Sequence, residues 1–175
     1  KQNSGDSFTQ VCRKISEITG KTIKNQIFLI GTGMGNAQTL TMEAAEKIRE
    51  ADCIFGAERL LRIIKNEQAV RYPYYLAADI VPELDRLSGC GVKVVILFSG
   101  DTGFYSGCGK LYETLKGRSD SSVRIYPGIS SVSYLAALTG DSYQDAAILS
   151  IHGHGADSEW IGNLTETIRF SEKTF

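Results

Sequence analysis

The stretch VKVVILFSGDTGFYSG, residues 92–107, joins an apolar run to a loop rich in small residues. The run from Val92 to Phe98 is apolar apart from Lys93, which is typical of a parallel strand buried on both faces. It ends abruptly in Ser99, Gly100 and Asp101, and two more glycines follow within the quoted stretch. We therefore predict a strand near the centre of a sheet, with a functional loop at its carboxyl end.

Strands and helices alternate on both sides of this stretch. Apolar runs predict strands at 26–30, 52–55, 68–73, 91–98 and 122–127. Segments with helical periodicity lie between and after them, at 40–51, 57–65, 79–89, 109–117 and 130–140. In the helix predicted at 79–89, we expect Pro82 to lie in the first turn. The alternation predicts an α/β fold with a mainly parallel sheet.

The chain of 175 residues divides into three predicted regions. Residues 1–25 form an N-terminal helical extension, with apolar residues at helical spacing and Gly20 as its stop. Residues 26–140 form a first α/β domain. Residues 141–175 begin a second α/β domain, with a strand predicted at 145–155, and we expect the chain to stop partway through this domain because too few residues remain for an independent core.

Composition excludes several classes of function. A net charge of -1 argues against a nucleic-acid or membrane-surface protein. No apolar run approaches the roughly 20 residues that cross a bilayer, and the polar N-terminus is not a signal peptide. The four cysteines show no metal-binding spacing, so we expect reduced thiols and no metal site in a soluble cytoplasmic protein.

The Gly-rich segment GTGMGNAQTLT, residues 31–41, directly follows the first strand of the predicted sheet. Closely spaced glycines let backbone N–H groups approach a ligand near a helix N-terminus. Two interpretations stay open, a tight strand-to-helix turn and a dinucleotide loop of the Rossmann type. Glu58 would supply the acidic residue that a dinucleotide site requires.

Two further strand ends carry small or polar residues. The carboxylate of Asp101 repels phosphate and suits hydroxyl donors, backbone amides or a cation. It caps the turn at residues 103 and 104, shapes a ligand site, or does both. Pro127 and Gly128 predict a turn, after which Ser130 or Ser131 caps a helix.

Together, GxGxG with "LT", "SGDTGFYSG" and "PGISS" resemble motifs of the tetrapyrrole (corrin/porphyrin) methylases. "FGAERLL" and "LSIHGHG" are similar to the members that methylate precorrin-6Y or cobalt-precorrin-7 at ring carbon five, in cobalamin biosynthesis. The resemblance runs from about residue 27 to residue 175. It implies two α/β domains that bind S-adenosylmethionine between them and release S-adenosylhomocysteine.

The resemblance also implies which residues contact the cofactor. This chain departs from the family pattern at Met34 and Thr102, where the family carries prolines. The implied cofactor contacts are Met34, Ser99, Gly100, Asp101, Phe104, Ser130, Ser131 and His152.

The implied substrate is an anionic tetrapyrrole with many carboxylates. Arg59 and the backbone amides at Gly33 and Gly35 are the expected contacts. Methyl transfer needs little acid–base machinery, and His152 and His154 are candidate bases if a proton must be collected.

The sequence leaves several alternatives open. They are another ring position, a Rossmann-type NAD-binding domain and a non-catalytic binding module. The sequence also leaves open whether the substrate carries cobalt, whether the chain forms a homo-oligomer and whether it has a decarboxylase partner.

Overall fold

The computed structural model describes residues 10–12, 14, 15, 17–20, 23–149 and 158–171. The chain divides into two compact units, 1–129 and 130–175. In the first unit, helical residues at 10–12, 14, 15 and 17–19 lead to Gly20, which has a positive φ of 64°. The domain boundaries predicted at residues 25 and 140 stay predictions.

The first unit holds a five-stranded sheet in which every pairing is parallel, as predicted. Its strands are β1 (Asn25–Gly31), β2 (Cys53–Phe55), β3 (Val70–Tyr72), β4 (Lys93–Phe98) and β5 (Ser121–Tyr126). Their order across the sheet is β3-β2-β4-β1-β5. The quoted apolar run therefore forms the central strand, and its residues 94–97 are buried.

Four helices connect these strands, and two more lie in the described part of the second unit. In the first unit they are α1 (Met42–Arg49), α2 (Glu58–Leu61), α3 (Ala77–Arg86) and α4 (Cys108–Leu115). The second unit contains α5 (Ser131–Thr139) and α6 (Ser158–Phe170).

The helices cover the two faces of the sheet in pairs. Buried residues of α1 and α2 pack with Phe28, Ile54 and Val95 on one face. Buried residues of α3 and α4 pack with Ile27 and Phe55, among others, on the opposite face. Right-handed crossovers require this arrangement, because the chain moves towards the β3 edge through β2 and then reverses through β4 to β5.

A topological switch point follows from these directions. The neighbouring strands β1 and β4 send their outgoing connections to opposite faces of the sheet. Ligands of open α/β sheets bind in the crevice that opens outside the carboxyl ends of two such strands. The loops that follow β1 and β4 are therefore the expected location of a ligand-binding site.

The structure corrects one expectation from the sequence and leaves another mostly outside the described residues. The Pro82 prediction is wrong, since α3 begins at Ala77 and places Pro82 in its second turn. The missing hydrogen bond is tolerated because Pro82 lies on an exposed part of the helix. The strand predicted at 145–155 lies mostly outside the described residues, and no strand is assigned to 145–149.

An ion-pair cluster joins α3 to the start of β5 at the amino edge of the sheet. The Arg118 guanidinium donates to both carboxylate oxygens of Asp120, at 2.9 and 2.8 Å. It also donates to Asp85 in α3 at 2.6 Å. These charge-assisted bonds hold the pKa of Asp120 well below its usual range, so its carboxylate stabilises the folded state.

We expect Asp120→Asn to lower the free energy of unfolding by about 1–3 kcal/mol at pH 7. Because the folded-state pKa is lowered, this stabilisation is fully present above the unfolded pKa, about 4, and is lost progressively as pH falls from there through the folded-state pKa. Urea unfolding at pH 7, 4 and 3 should therefore show the variant and the parent converging in acid. Asp79→Asn, at an exposed site in α3, is the control, and an undiminished difference at pH 3 would contradict this role of Asp120.

Candidate functional site

Backbone hydrogen bonds join the loops after β1 and β4 at the switch point. The amide of Gly33 donates to the carbonyl of Gly100 at 3.1 Å, and the amide of Gly100 donates back to Gly33 at 3.0 Å. Both glycines have a positive φ, 61° and 69°, a conformation that side chains disfavour. The two-bond bridge therefore depends on glycine at both positions.

The loop after β5 packs against the same point. A Cβ on Gly31 would lie 2.6 Å from the amide nitrogen of Gly128 and 2.7 Å from the carbonyl oxygen of Gly100. A Cβ on Gly128 would collide with that same carbonyl oxygen. Three loops, from the neighbouring strands β4, β1 and β5, thus meet backbone to backbone, and the glycines are required by this close approach.

The Asp101 carboxylate fastens this junction. Its Oδ1 accepts a hydrogen bond from the Gly128 amide at 3.2 Å, across 27 positions of sequence. The turn at residues 103 and 104 is closed instead by the backbone carbonyl of Asp101, which accepts from the Phe104 amide at 3.4 Å. Within the described part of the chain, no hydrogen bond occupies the second oxygen, Oδ2. The carboxylate thus shapes the loops and retains an oxygen for a further partner.

The Gly-rich loop satisfies most of its own amides. Thr39 Oγ1 accepts from the Met34 amide at 3.0 Å, and the Gly35 amide donates to the Thr32 carbonyl at 3.4 Å. The Gly33 amide is taken by the bridge to Gly100. Because these amides are engaged, the loop as it stands does not offer them to substrate carboxylates. A binding role for Gly33 and Gly35 stays a prediction.

The charge of the three loops is distinctive. Residues 31–41, 99–107 and 127–129 contain no Lys or Arg, and Asp101 is their one charged residue. Phe104 is half-buried, while Met34 and Ser99 are exposed. Such a lining favours a cationic or neutral ligand with apolar parts and disfavours phosphate groups.

The sheet order argues against the dinucleotide interpretation. In dinucleotide-binding sheets β2 lies next to β1, so the acidic residue after β2 reaches the ribose beside the Gly-rich loop. Here β4 lies between β1 and β2. Glu58 is exposed and forms an ion pair with Arg62 at 3.3 Å. Neither observation fits a ribose-binding acid.

The remaining predicted residues fall in different places. Arg59 is exposed in α2, close to the carboxyl end of β2. Ser130, at the start of the second unit, caps α5 by accepting from the Ser133 amide at 3.1 Å, and the exposed Ser131 is its first residue. His152 and His154 lie outside the described residues.

Arg71 lies in β3 and by residue type could bind an anionic ligand, but it has structural partners. Its guanidinium donates to the carbonyls of Leu61, Ile64 and Asn66, at 3.0–3.1 Å. It therefore orders the connection between α2 and β3. No local pattern distinguishes this arginine from one that binds a ligand.

The cysteines take no part in the site. Cys53 and Cys108 are buried, and burial raises the pKa of each thiol to about 11, so both stay protonated. All four cysteines are free thiols. Across the described residues there is no group of side chains that would hold a metal ion, and no helix there is long and apolar enough to cross a membrane.

Known proteins share this sequence pattern and fold. The pattern of the Tetrapyrrole (Corrin/Porphyrin) Methylases matches residues 26–171. A cobalt-precorrin-7 C(5)-methyltransferase of Salmonella typhimurium is 34% identical over 136 residues, which cover 77% of this chain and 65% of that protein. A probable cobalt-precorrin-7 C(5)-methyltransferase of Methanocaldococcus jannaschii is 28% identical over 143 residues, with coverages of 79% and 65%.

A solved structure shows the shared fold. The precorrin-6Y methylase CbiE of Archaeoglobus fulgidus matches with a TM-score of 0.55 at 22% identity, over 71% of this chain and 62% of that one. The chain thus spans just under two thirds of the length of each of these three relatives.

We expect Gly128→Ala to lower the free energy of unfolding by about 1–3 kcal/mol, because its methyl group would collide with the Gly100 carbonyl. Gly109→Ala is the matched control, since it lies in α4 with open space at its Cβ and should raise stability by up to about 1 kcal/mol. Urea unfolding monitors both variants. Equal stability of Gly128→Ala and the parent would contradict the close packing of the three loops.

Proposed function

Because the chain belongs to the tetrapyrrole (corrin/porphyrin) methylases, we propose that it takes part in methyl transfer from S-adenosylmethionine to a carbon of a precorrin or cobalt-precorrin macrocycle. The observation that carries the proposal is the meeting of three loops at the switch point of the sheet, which contain no Lys or Arg and a single carboxylate, Asp101. Carbon five is the proposed ring position, supported by the name of the relative that is 34% identical.

The residues of this crevice fit the proposed cofactor. S-adenosylmethionine carries a sulfonium and an ammonium cation and no phosphate. Asp101 matches the cationic groups, and Phe104 supplies an apolar surface for the rest of the molecule. In the first unit, the proposed cofactor contacts are Met34, Ser99, Gly100, Asp101 and Phe104. Ser130, Ser131 and His152 remain proposed contacts on the family pattern alone.

The protein's part in the reaction is positioning. When bound, the cofactor supplies a methyl group already activated by the sulfonium. The hydrogen bond from Gly128 to Asp101 holds two loops in register, and the Gly33–Gly100 bridge holds the third. A rigid crevice of this kind aligns the donor with the attacking carbon and excludes water. His152 and His154 remain proposed bases for the proton that the macrocycle releases.

The carboxyl edge of the sheet also suits a flat substrate. Several large apolar residues are exposed in the segments that follow the strands. They are Met34, Tyr105 and Ile129, in the loops that follow β1, β4 and β5. Arg59 lies near the same edge and is the proposed partner of a substrate carboxylate.

Calorimetry tests the proposed function directly. We expect the chain to bind S-adenosylmethionine and S-adenosylhomocysteine and to give no response to NAD. Binding of NAD together with no response to either adenosyl ligand would overturn the proposal.

Substitutions at Asp101 separate its two roles. Asp101→Asn keeps an oxygen that accepts from the Gly128 amide but removes the charge, so we expect about tenfold weaker binding of S-adenosylmethionine with little change in stability. S-adenosylhomocysteine, which lacks the sulfonium charge, should lose less. Asp101→Ala removes the hydrogen bond as well and should also lower the free energy of unfolding, by about 1 kcal/mol.

Asp52→Asn is the matched control for this series. The Asp52 carboxylate also accepts a backbone amide, that of Lys93 at 2.8 Å, but it lies at the amino edge of the sheet. It should leave ligand affinity unchanged. Unaltered binding in Asp101→Asn would show that Asp101 only shapes the loops.

A further inference from the structure

The loop after β4 holds a tyrosine in a backbone conformation that tyrosine disfavours. Tyr105 has a φ of 45°, in the left-handed region. Among the described residues, Asp145 is the other non-glycine residue with a positive φ, and aspartate tolerates this region far better than a bulky aromatic residue does. The loop has glycines at 103 and 107, yet the strained position carries a large ring.

The strain is not explained by core packing. The Tyr105 side chain is 54% exposed. Its hydroxyl makes no hydrogen bond within the described part of the chain. Among the described residues, its ring contact is with Phe104, whose centroid lies 4.9 Å away at an interplanar angle of 90°. The half-buried Phe104 thus contacts the Tyr105 ring at a right angle, while much of Tyr105 stays in solvent.

The exposed ring of Tyr105 belongs to one of the loops that meet at the switch point. Tyr105 lies seven residues beyond the end of β4, in the loop whose first residues form the bridge to Gly33 and hold Gly128. Strained backbone conformations cluster at functional sites, so the strain at Tyr105 points to a functional role. An aromatic ring that is largely exposed and held by one neighbouring ring is suited to stacking on a flat, conjugated ligand.

We propose that Tyr105 is a specificity residue that stacks on the face of the tetrapyrrole macrocycle at the mouth of the switch-point crevice. This inference rests on the proposed function and adds a residue that determines substrate affinity. The left-handed backbone fixes the conformation of Tyr105 within the loop, and the contact with Phe104 limits the orientations that its ring adopts. Both features reduce the conformational freedom that would be lost when the macrocycle binds.

The test uses the full chain and a porphyrin octacarboxylate as probe, with binding followed by quenching of porphyrin fluorescence. Tyr105→Gly removes the ring and suits the positive φ. We expect about tenfold weaker porphyrin binding, affinity for S-adenosylhomocysteine within twofold of the parent, and a urea midpoint that is unchanged or raised. Tyr105→Phe keeps the ring and should bind the porphyrin like the parent.

Tyr75→Gly is the matched control, because Tyr75 is also an exposed tyrosine, at 66%, but follows the edge strand β3. It should leave porphyrin affinity unchanged. A lowered urea midpoint in Tyr105→Gly with unaltered porphyrin affinity would assign the ring a structural role and overturn the inference. Absence of porphyrin binding by the parent, or equal losses in the two glycine variants, would overturn it as well.

The two proposals fail in different ways. If only the inference about Tyr105 is wrong, every variant still binds S-adenosylhomocysteine. Failure of the parent to bind S-adenosylhomocysteine contradicts the proposed function itself.

Discussion

The close approach of three backbone segments, at Gly31, Gly100 and Gly128, is the constraint on which the site depends. Gly31 ends β1, and the other two glycines follow β4 and β5, so the contact can form only when these three strands are neighbours. Any side chain on Gly31 or Gly128 would push two loops apart. The carboxylate of Asp101 then fixes the distance by accepting the Gly128 amide. Packing and hydrogen bonding thus act on the same few atoms.

The order of the strands gives this junction its chemical meaning. With β4 between β1 and β2, the Gly-rich loop faces the loop that carries Asp101, whereas in a dinucleotide-binding sheet it would face the acidic residue after β2. The Gly-rich loop therefore lies beside a carboxylate, and the three loops that meet there contain no Lys or Arg. Similar glycine patterns serve phosphate ligands in other folds because backbone amides are left free there. Here the amides of residues 33–35 are occupied within the protein.

Much of this architecture follows from local pattern. The apolar run at 92–98 and the alternation around it correctly predicted a parallel sheet, because burial on both faces leaves few polar residues in a strand. Motif combinations correctly indicated the family. The helix end at Gly20 and the Ser130 cap also follow from residue type, since positive φ and side-chain capping are local properties.

What the sequence by itself determined is where strands end and which chemical groups follow them. Tertiary structure decided which of those groups meet. Asp101 is 27 positions from Gly128, and Gly33 is 67 positions from Gly100, so no local pattern encodes either pairing. Arg71 was indistinguishable from a ligand-binding cation until its three carbonyl partners were in place. The physical reason is that strand order is fixed by long-range packing and crossover handedness, and these act only when the whole sheet is assembled.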